Sequence, residues 1–293
     1  MPTTSHLYLK SMPTMPIYKC PLCSDALEFT RPSYRCGNGH CFDQAKEGYV
    51  NLLPVQHKKS RQPGDDDDMM RARQRFLSKG YYQGLASSIG DAAQALEFSS
   101  PTTSIVDIGC GEGYYLDEIS KKFAPESINL NGLDIAKLGV KMAAKRSFDG
   151  QLSVASAYAL PYFDNSIDLA TSVFSPICPV ELQRVLKPGG YLIMVGPGPM
   201  HLRGLVERIY DEPQDHEGNF EGLGSHDTLS LIRSWSSKEE SLIQQADILD
   251  LLTMTPYYWH IRQDKKHALL DSGDLKTALD FELRCYQYRP AAL

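Results

Sequence analysis

The sequence predicts an α/β fold in which a small metal-binding module precedes a doubly wound, mostly parallel sheet. Residues 105–113 read Ile-Val-Asp-Ile-Gly-Cys-Gly-Glu-Gly and lead into helical spacing of apolar residues. A buried strand, a glycine turn and a helix in this order form the first unit of such a sheet. Residues 20–40 contain the spacing Cys-x2-Cys-x12-Cys-x3-His. That spacing supplies four ligands for tetrahedral zinc.

The composition is that of a globular protein. A chain of 293 residues can hold one large domain and a small one. No apolar run approaches the roughly 18 residues that a membrane helix needs. Seven cysteines in a chain of this length do not suggest a secreted disulfide scaffold. We therefore expect a cytoplasmic protein with no membrane partner, and a flexible tail over residues 1–16.

The net charge of −6 is unevenly distributed along the chain. Residues 1–79 contain 12 Lys and Arg against 8 Asp and Glu, whereas residues 80–293 contain 18 against 28. A basic front end on an acidic body predicts that a polyanion approaches from the front.

The zinc-binding module is expected to span residues 17–55. Its candidate ligands are Cys20, Cys23, Cys36 and His40. Four protein ligands leave no open coordination position, so the metal is expected to be structural. Two alternatives remain at this stage: Cys41 could replace His40, or the four thiols could be unrelated free cysteines.

A linker and a basic helix are expected over residues 56–79. The polar stretch with Lys58, Lys59 and Arg61 could contact phosphate or could be a solvated hinge. The acidic run 65–68 is expected to cap the helix that follows, because acids stabilise the positive end of the helix dipole. Cation binding by this run is the alternative.

The glycine turn indicates a methyl donor more than a nicotinamide cofactor. In Asp107-x-Gly109-x-Gly111-x-Gly113 the third glycine comes one residue earlier than in the dinucleotide pattern Gly-x-Gly-x-x-Gly. Glu112 also lies in the turn, where a carboxylate would repel a pyrophosphate. The spacing resembles motif I of the class I, Rossmann-like S-adenosylmethionine-dependent methyltransferases.

A second acid is expected at the same site. The apolar run 128–133 ends at Asp134, which is 27 residues after Asp107. An acid at the end of the second strand can accept hydrogen bonds from both hydroxyls of a ribose.

The next two predicted strands each end near the expected ligand crevice. Ser156 follows the strand 152–155, where methyltransferases with this pattern usually have an Asp beside the adenine. Phe174 and Pro176 follow the strand 169–173 and could form a rigid wall on which a flat base stacks. A packed loop is the other interpretation of that pair.

The remainder of residues 80–293 completes the predicted methyltransferase domain. Residues 186–190 read Leu-Lys-Pro-Gly-Gly, which is a second signature of class I methyltransferases. The stiff loop 196–202 contains His201. Residues 203–270 are expected to form an inserted lid over the substrate. Residues 279–288 alternate in polarity and are expected to form the last strand.

Taken together, these features resemble the RlmA family of bacterial 23S rRNA (guanine-N1)-methyltransferases. The resemblance covers about residues 17–293. Besides the zinc ligands and the turn 107–115, it rests on the stretch 46–57, Lys-Glu-Gly-Tyr-Val-Asn-Leu-Leu-Pro-Val-Gln-His, and on Pro63-Gly-Asp.

The resemblance implies both a chemistry and a set of partners. It implies methyl transfer to N1 of a guanine in a 23S rRNA hairpin, of the guanine-745 type rather than the neighbouring guanine 748. It implies a homodimer and zinc on the four ligands named above. For the donor it implies contacts from Tyr82, Gly111, Glu112, Asp134 and His201.

Two other classes of function are weighed against this one. The chain could be a small-molecule methyltransferase whose zinc module serves assembly. It could also be a non-catalytic, zinc-containing RNA-binding protein. Transfer of methyl label to metabolites but not to rRNA would favour the first class, and failure to bind the methyl donor would favour the second.

Overall fold

The computed structural model describes residues 17–54, 64–216, 218, 220, 223 and 228–290. The predicted tail and the basic stretch 56–63 lie outside the described residues. Within the described ranges, no helix is both long and apolar enough to cross a bilayer.

The N-terminal module is a small antiparallel sheet with the strand order β1-β2-β3-β4. Its hairpins place the two halves of the cysteine pattern next to each other, because Glu28 pairs with Arg35 and Arg35 pairs with Cys41. The strands are β1 (Tyr18–Lys19), β2 (Ala26–Thr30), β3 (Ser33–Arg35) and β4 (Cys41–Asp43).

The second sheet has eight strands, in the order β11-β12-β10-β9-β6-β7-β8-β5. Pairing is parallel from β5 through β10, while β12 runs antiparallel to both of its neighbours. The strands are β5 (Val50–Asn51), β6 (Thr103–Ile108), β7 (Ile128–Asp134), β8 (Gly150–Val154), β9 (Ile167–Val173), β10 (Leu186–Pro197), β11 (Leu229–Ile243) and β12 (Leu275–Tyr288).

Helices accompany this sheet as expected for alternating strand and helix patterns. The helices are α1 (Asp67–Ser78), α2 (Gln83–Gln94), α3 (Tyr114–Ser120), α4 (Lys137–Ala143), α5 (Pro179–Val185), α6 (Arg203–Ile209), α7 (Gln245–Thr253) and α8 (Gln263–Leu270). The expected N-terminal cap of α1 is confirmed: the Asp66 carboxylate accepts hydrogen bonds from the Asp68 and Met69 amides at 2.9 and 2.8 Å.

The order of the strands identifies where a ligand should bind. From β6 the chain proceeds outward to β7 and β8 on one side, and to β9 and β10 on the other. The carboxyl ends of β6 and β9 therefore flank the switch point of a doubly wound sheet, where such sheets bind ligands. The fold is the mixed α/β sheet that class I methyltransferases share.

The zinc module and the large sheet share one hydrophobic core. Val50 in β5 pairs with Ser153 in β8, so the end of the module extends the large sheet. The Tyr18 and Tyr162 rings, both fully buried, lie 5.9 Å apart across the junction. The module therefore packs against the large sheet and is not joined to it by the chain alone.

The expectation of a lid over residues 203–270 is wrong for much of that segment. Residues 229–243 form β11, which pairs along its length with β12 and is an outer strand of the sheet. Helix α7 packs beside α1, and Ile248, Leu251 and Leu252 are buried there. The sequence of β11 does not alternate between apolar and polar residues, because most of its residues are exposed on both faces of the sheet.

Candidate active site and zinc centre

The four predicted zinc ligands converge. The Sγ atoms of Cys20, Cys23 and Cys36 and the Nδ1 atom of His40 all lie within 4.8 Å of one another. Tetrahedral zinc with Zn–S near 2.3 Å and Zn–N near 2.05 Å implies edges of roughly 3.8 Å between sulfurs and 3.6 Å between sulfur and nitrogen.

Three of the six edges lie close to those values, and the remaining three are no longer than 4.8 Å. The Cys23 and Cys36 sulfurs are 3.7 Å apart, and His40 Nδ1 lies 3.6 Å from Cys20 Sγ and 3.4 Å from Cys36 Sγ. Cys41 is exposed, and its thiol faces the Asp43 carboxylate at 3.9 Å. His40 rather than Cys41 completes the cluster, which fits a structural zinc ion with no open position.

Gly109 and Gly113 are required by the geometry of the turn after β6. Both adopt positive φ, +79° and +81°. A Cβ on Gly109 would lie 2.0 Å from Ser175 Oγ, and one on Gly113 would lie 2.9 Å from the Ala143 Cβ. A larger residue at Gly109 would push the turn away from the loop after β9, and one at Gly113 would push it away from α4.

Asp134 ends β7, and its carboxylate joins this turn to the residues that follow β7. Oδ2 accepts the Gly111 amide at 2.9 Å, and Oδ1 accepts the Ala136 amide at 2.7 Å. Burial raises the pKa of the carboxyl, and the two amide hydrogen bonds counteract this. Each oxygen keeps a free lone-pair direction, as the predicted contact with a ribose requires.

Asp107 points into the sheet. Its Oδ1 accepts the Thr171 hydroxyl at 2.7 Å, which ties β6 to β9. Burial, with a smaller contribution from the Asp134 charge, raises its pKa to about 7. Asp107 therefore links the end of β6, just before the glycine turn, to β9. Its expected part in cofactor binding stays a prediction.

Glu112 is a buried carboxylate with only one oxygen engaged. Oε2 accepts the Arg146 Nε–H at 2.9 Å and also pairs with Arg146 Nη2. Oε1 is buried and has no hydrogen-bond partner among the described residues. Burial raises the pKa of Glu112 against the opposing effect of Arg146. A buried, unpaired carboxylate oxygen in the motif turn fits a cationic or hydrogen-bond-donating ligand.

Tyr82 and His201 form a second group on the same side of the sheet. Tyr82 Oη lies 3.3 Å from His201 Nε2, and both side chains pack against Phe281 of β12. Burial lowers the pKa of His201 to about 3, so the imidazole is neutral. His201 Nδ1 is buried and has no partner among the described residues. Like Glu112 Oε1, it is a polar atom that a ligand could satisfy.

Phe174 and Pro176 occupy the loop between β9 and α5. Phe174 adopts φ +54°, which is rare for a residue other than glycine, and the residue is 41% exposed. The ring centroid lies 5.9 Å from that of His201 at an angle of 30°. A strained backbone that presents an exposed aromatic ring is typical of a ligand-contacting position. Pro176 is exposed in the same loop.

Ser156 lies farther out, after β8. Its Oγ accepts the Tyr158 amide at 3.1 Å, and the side chain is half-buried. It borders a cavity of about 230 Å³ between the zinc module and the sheet. This position leaves the expected contact with adenine as a prediction.

The structure brings the donor-site candidates together and adds two residues that the sequence did not single out. Ser175 fits against Gly109, and Arg73 of α1 lies over Gly111, its Nη1 atom 3.9 Å from where a Gly111 Cβ would be. Arg73 was visible only as one of several basic residues on a helix. The glycine turn and the two unpaired buried atoms, Glu112 Oε1 and His201 Nδ1, fit S-adenosylmethionine. Which residues contact the donor stays a prediction.

Comparison with known proteins agrees with both halves of the chain. A family model described as the N-terminal domain of RlmA, a zinc ribbon, matches residues 18–61. A methyltransferase-domain model matches residues 106–194.

Individual relatives extend the match. The chain is 34% identical over 192 residues to the 23S rRNA (guanine(748)-N(1))-methyltransferase of Streptomyces fradiae, covering 65% of this chain and 67% of that protein. It is 28% identical to a putative 23S rRNA (guanine-N(1)-)-methyltransferase of Bacillus subtilis, over 90% of this chain and 95% of the relative. A Micromonospora griseorubida protein of the same description is 27% identical, over 94% of this chain and 98% of the relative. With its zinc ligands and its donor turn both in place, the chain belongs to the RlmA family of 23S rRNA (guanine-N1)-methyltransferases.

Proposed function

We propose that this protein methylates N1 of a guanine in a hairpin of 23S rRNA, at the 745-type position, with S-adenosylmethionine as the donor. The observation that carries the proposal is the exposed, strained Phe174 beside the neutral His201, at the mouth of a methyltransferase donor turn. A planar ring presented there suits an unstacked nucleobase, and base–aromatic stacking is worth about 1–3 kcal/mol.

Each group of residues has a separate task in this proposal. When bound, S-adenosylmethionine supplies a methyl group activated on a sulfonium. Asp134 and the glycine turn bind and orient it, since alignment of methyl and nucleophile accounts for much of such a reaction. Phe174 and Pro176 orient the guanine.

Guanine N1 must lose its proton during methyl transfer. The buried and neutral His201 would offer a polar edge to the bound donor without adding a positive charge to the site.

The zinc module supplies substrate recognition. It packs on the sheet beside β8. Arg31 in the turn between β2 and β3, and Arg35 at the end of β3, are exposed at its surface. Basic side chains on an ordered module position a phosphate backbone without reading its sequence. We further propose a cytoplasmic homodimer, in which two such modules would contact one hairpin.

The alternative position is guanine 748, which is the position named for the Streptomyces fradiae relative. One experiment tests the function and decides the position. Purified protein and labelled donor are incubated with 23S rRNA that lacks the mark, and the product is read by reverse transcription. Methyl on N1 blocks Watson–Crick pairing, so the polymerase stops beside the modified guanine.

A stop at the 745-type guanine supports the proposal, and a stop at guanine 748 moves the assignment to the alternative. Absence of label in the rRNA together with transfer to small metabolites would overturn the proposal. Protein with Asp134→Ala serves as the matched control and should give no stop.

A further inference from the structure

Arg73 is a cation placed over the donor turn and already paired with a carboxylate. Its Nη1 atom lies 2.5 Å from Asp65 Oδ2, and its Nη2 donates to the Met254 carbonyl at 3.5 Å. The side chains of Arg73 and Asp65 are 29% and 32% exposed, so the pair is at the crevice surface and not in the core. The same guanidinium is the group nearest to Gly111 on its open side.

Arg73 differs from the other charged residues around the turn, which are buried acids or an arginine that is already paired with them. Asp107, Glu112 and Asp134 are buried acids beside the glycines. The other arginine near the turn, Arg146, is occupied by Glu112 and by Asp117 at 3.4 Å. Among the described residues, Arg73 is therefore the guanidinium that faces the open side of the turn.

Asp65 pairs with Arg73 through a contact that a ligand could replace. Gly64, just before it, adopts φ +86°, and a Cβ there would lie 2.8 Å from the Ile135 side chain. The segment leading into α1 is thus pressed onto the residues that follow Asp134, and it delivers the Asp65 carboxylate to Arg73.

We propose that Arg73 binds the α-carboxylate of S-adenosylmethionine, and that Asp65 occupies this position as an internal competitor until the donor displaces it. The inference rests on the donor site of the proposed function and adds a residue to it. A guanidinium fork matches a carboxylate in geometry, and charge-assisted pairs of this kind are the strong ones. Asp65 carries the same chemical group as the ligand that would replace it. Glu112 Oε1, buried and unpaired, would accept a hydrogen bond from the α-ammonium.

Calorimetry with two ligands tests the proposal without any RNA. S-adenosylhomocysteine carries the α-carboxylate, whereas 5′-methylthioadenosine has the same adenosine and thioether but no amino-acid end. Arg73→Ala should weaken S-adenosylhomocysteine binding by about tenfold or more and leave 5′-methylthioadenosine binding unchanged. Arg73→Lys keeps the charge but loses the forked guanidinium. Its affinity for S-adenosylhomocysteine should lie between those of the unmodified protein and Arg73→Ala.

Asp65→Asn tests the competitor. Removing the negative charge while keeping the shape should tighten S-adenosylhomocysteine binding and leave 5′-methylthioadenosine unaffected, because only the first ligand must displace Asp65. Arg71→Ala is the matched control: Arg71 is on the same helix but pairs with Asp67 and Asp68 at the surface. It should change neither affinity.

The contrary results are specific. Equal weakening of both ligands by Arg73→Ala would show that Arg73 only supports the packing of α1, and no change in either would place it outside the donor site. Unchanged S-adenosylhomocysteine affinity in Asp65→Asn would overturn the role of Asp65. If the protein does not methylate rRNA, the binding results for Arg73 and Asp65 still stand. If the unmodified protein does not bind S-adenosylhomocysteine, the proposed function itself is overturned.

Discussion

The Asp134 carboxylate accepts the Gly111 amide at 2.9 Å, so the acid at the end of β7 is bonded to the glycine turn after β6. The two motifs that the sequence separates by 23 residues form one unit. Through this contact the orientation of the acid depends on the turn, and the turn depends on the acid.

Asp134→Ala should weaken binding of the methyl donor far more than binding of rRNA. The variant loses the proposed ribose contact and also leaves the Gly111 and Ala136 amides without their acceptor. A hydrogen bond to a charged group contributes roughly 1.5–3 kcal/mol, or about 10- to 150-fold in affinity. Calorimetry measures the loss, and Asp134→Asn, which keeps an acceptor oxygen, should lose less. Unchanged donor affinity in the alanine variant would remove Asp134 from the site.

Gly109→Ala should abolish donor binding and reduce stability, because the new Cβ would lie 2.0 Å from Ser175 Oγ. Gly189→Ala is the matched control. Gly189 has nearly the same φ, +82°, with nothing within 4 Å of its Cβ position, so it reports only the conformational strain of about 1–2 kcal/mol. Adding Ser175→Gly to Gly109→Ala should restore part of the lost stability. If both single glycine variants unfold at the same denaturant concentration, the contact with Ser175 is not what requires glycine.

Phe174→Ala should lower turnover on rRNA while donor affinity stays near normal, because a base–aromatic stack worth about 1–3 kcal/mol is lost. Phe174→Gly should also lose turnover, yet should be at least as stable as the alanine variant, since glycine adopts φ +54° without strain. Phe174→Tyr keeps the ring and should keep activity. Normal turnover in the alanine variant would mean that Phe174 serves packing alone.

Cys36→Ser should release zinc and abolish rRNA methylation, because metal binding and folding are one event in a module this small. The free energy of unfolding of the whole chain should fall as well, since Tyr18 and Leu52 are buried in the core shared with the sheet. Donor affinity should persist, because β6, β7 and β9 pair with one another and not with the module.

Cys41→Ser is the control for that experiment, since Cys41 is exposed and outside the ligand cluster. It should retain zinc, stability and activity. Zinc content, unfolding and methylation are measured on the same preparations. A Cys36→Ser protein without zinc that methylates rRNA at the normal rate would refute the recognition role of the module.

Stability should fall with acid through His201. Burial lowers its pKa from 6.5 to about 3, so between these values the unfolded chain takes up a proton that the folded chain does not. The folded state therefore loses stability as the pH drops from about 6.5, by at most about 1.4 kcal/mol per pH unit for this group. His201→Gln should remove that part of the slope in donor-free protein, whereas the exposed position His260→Gln should not. Parallel slopes in all three proteins would show that His201 is readily protonated in the folded state.

Features that depend on short spacings could be predicted from the sequence. The zinc ligands lie within 21 consecutive residues, and the turn 105–113 contains its own strand end and its glycines. Glycine adopts positive φ readily because it has no Cβ, so Gly109 and Gly113 predict a turn before any packing is known. Both residues do adopt positive φ. The acidic cap of α1 is local in the same sense.

The tertiary structure decided what depends on contacts between distant segments. Nothing in the spacing of Arg73 indicates that it lies over Gly111. The residues of β11 do not indicate a strand, because an exposed edge strand lacks the alternation of a half-buried one. The choice of His40 over Cys41 required the hairpin that turns one side chain inward and the next outward. Likewise, β5 pairs with β8 at the junction where Tyr18 is buried against Tyr162, 144 residues away, and no local period encodes either contact. The sequence alone thus determined the zinc ligands and the glycine turn. The residues that surround each of them were determined by which distant apolar surfaces the folded chain buries together.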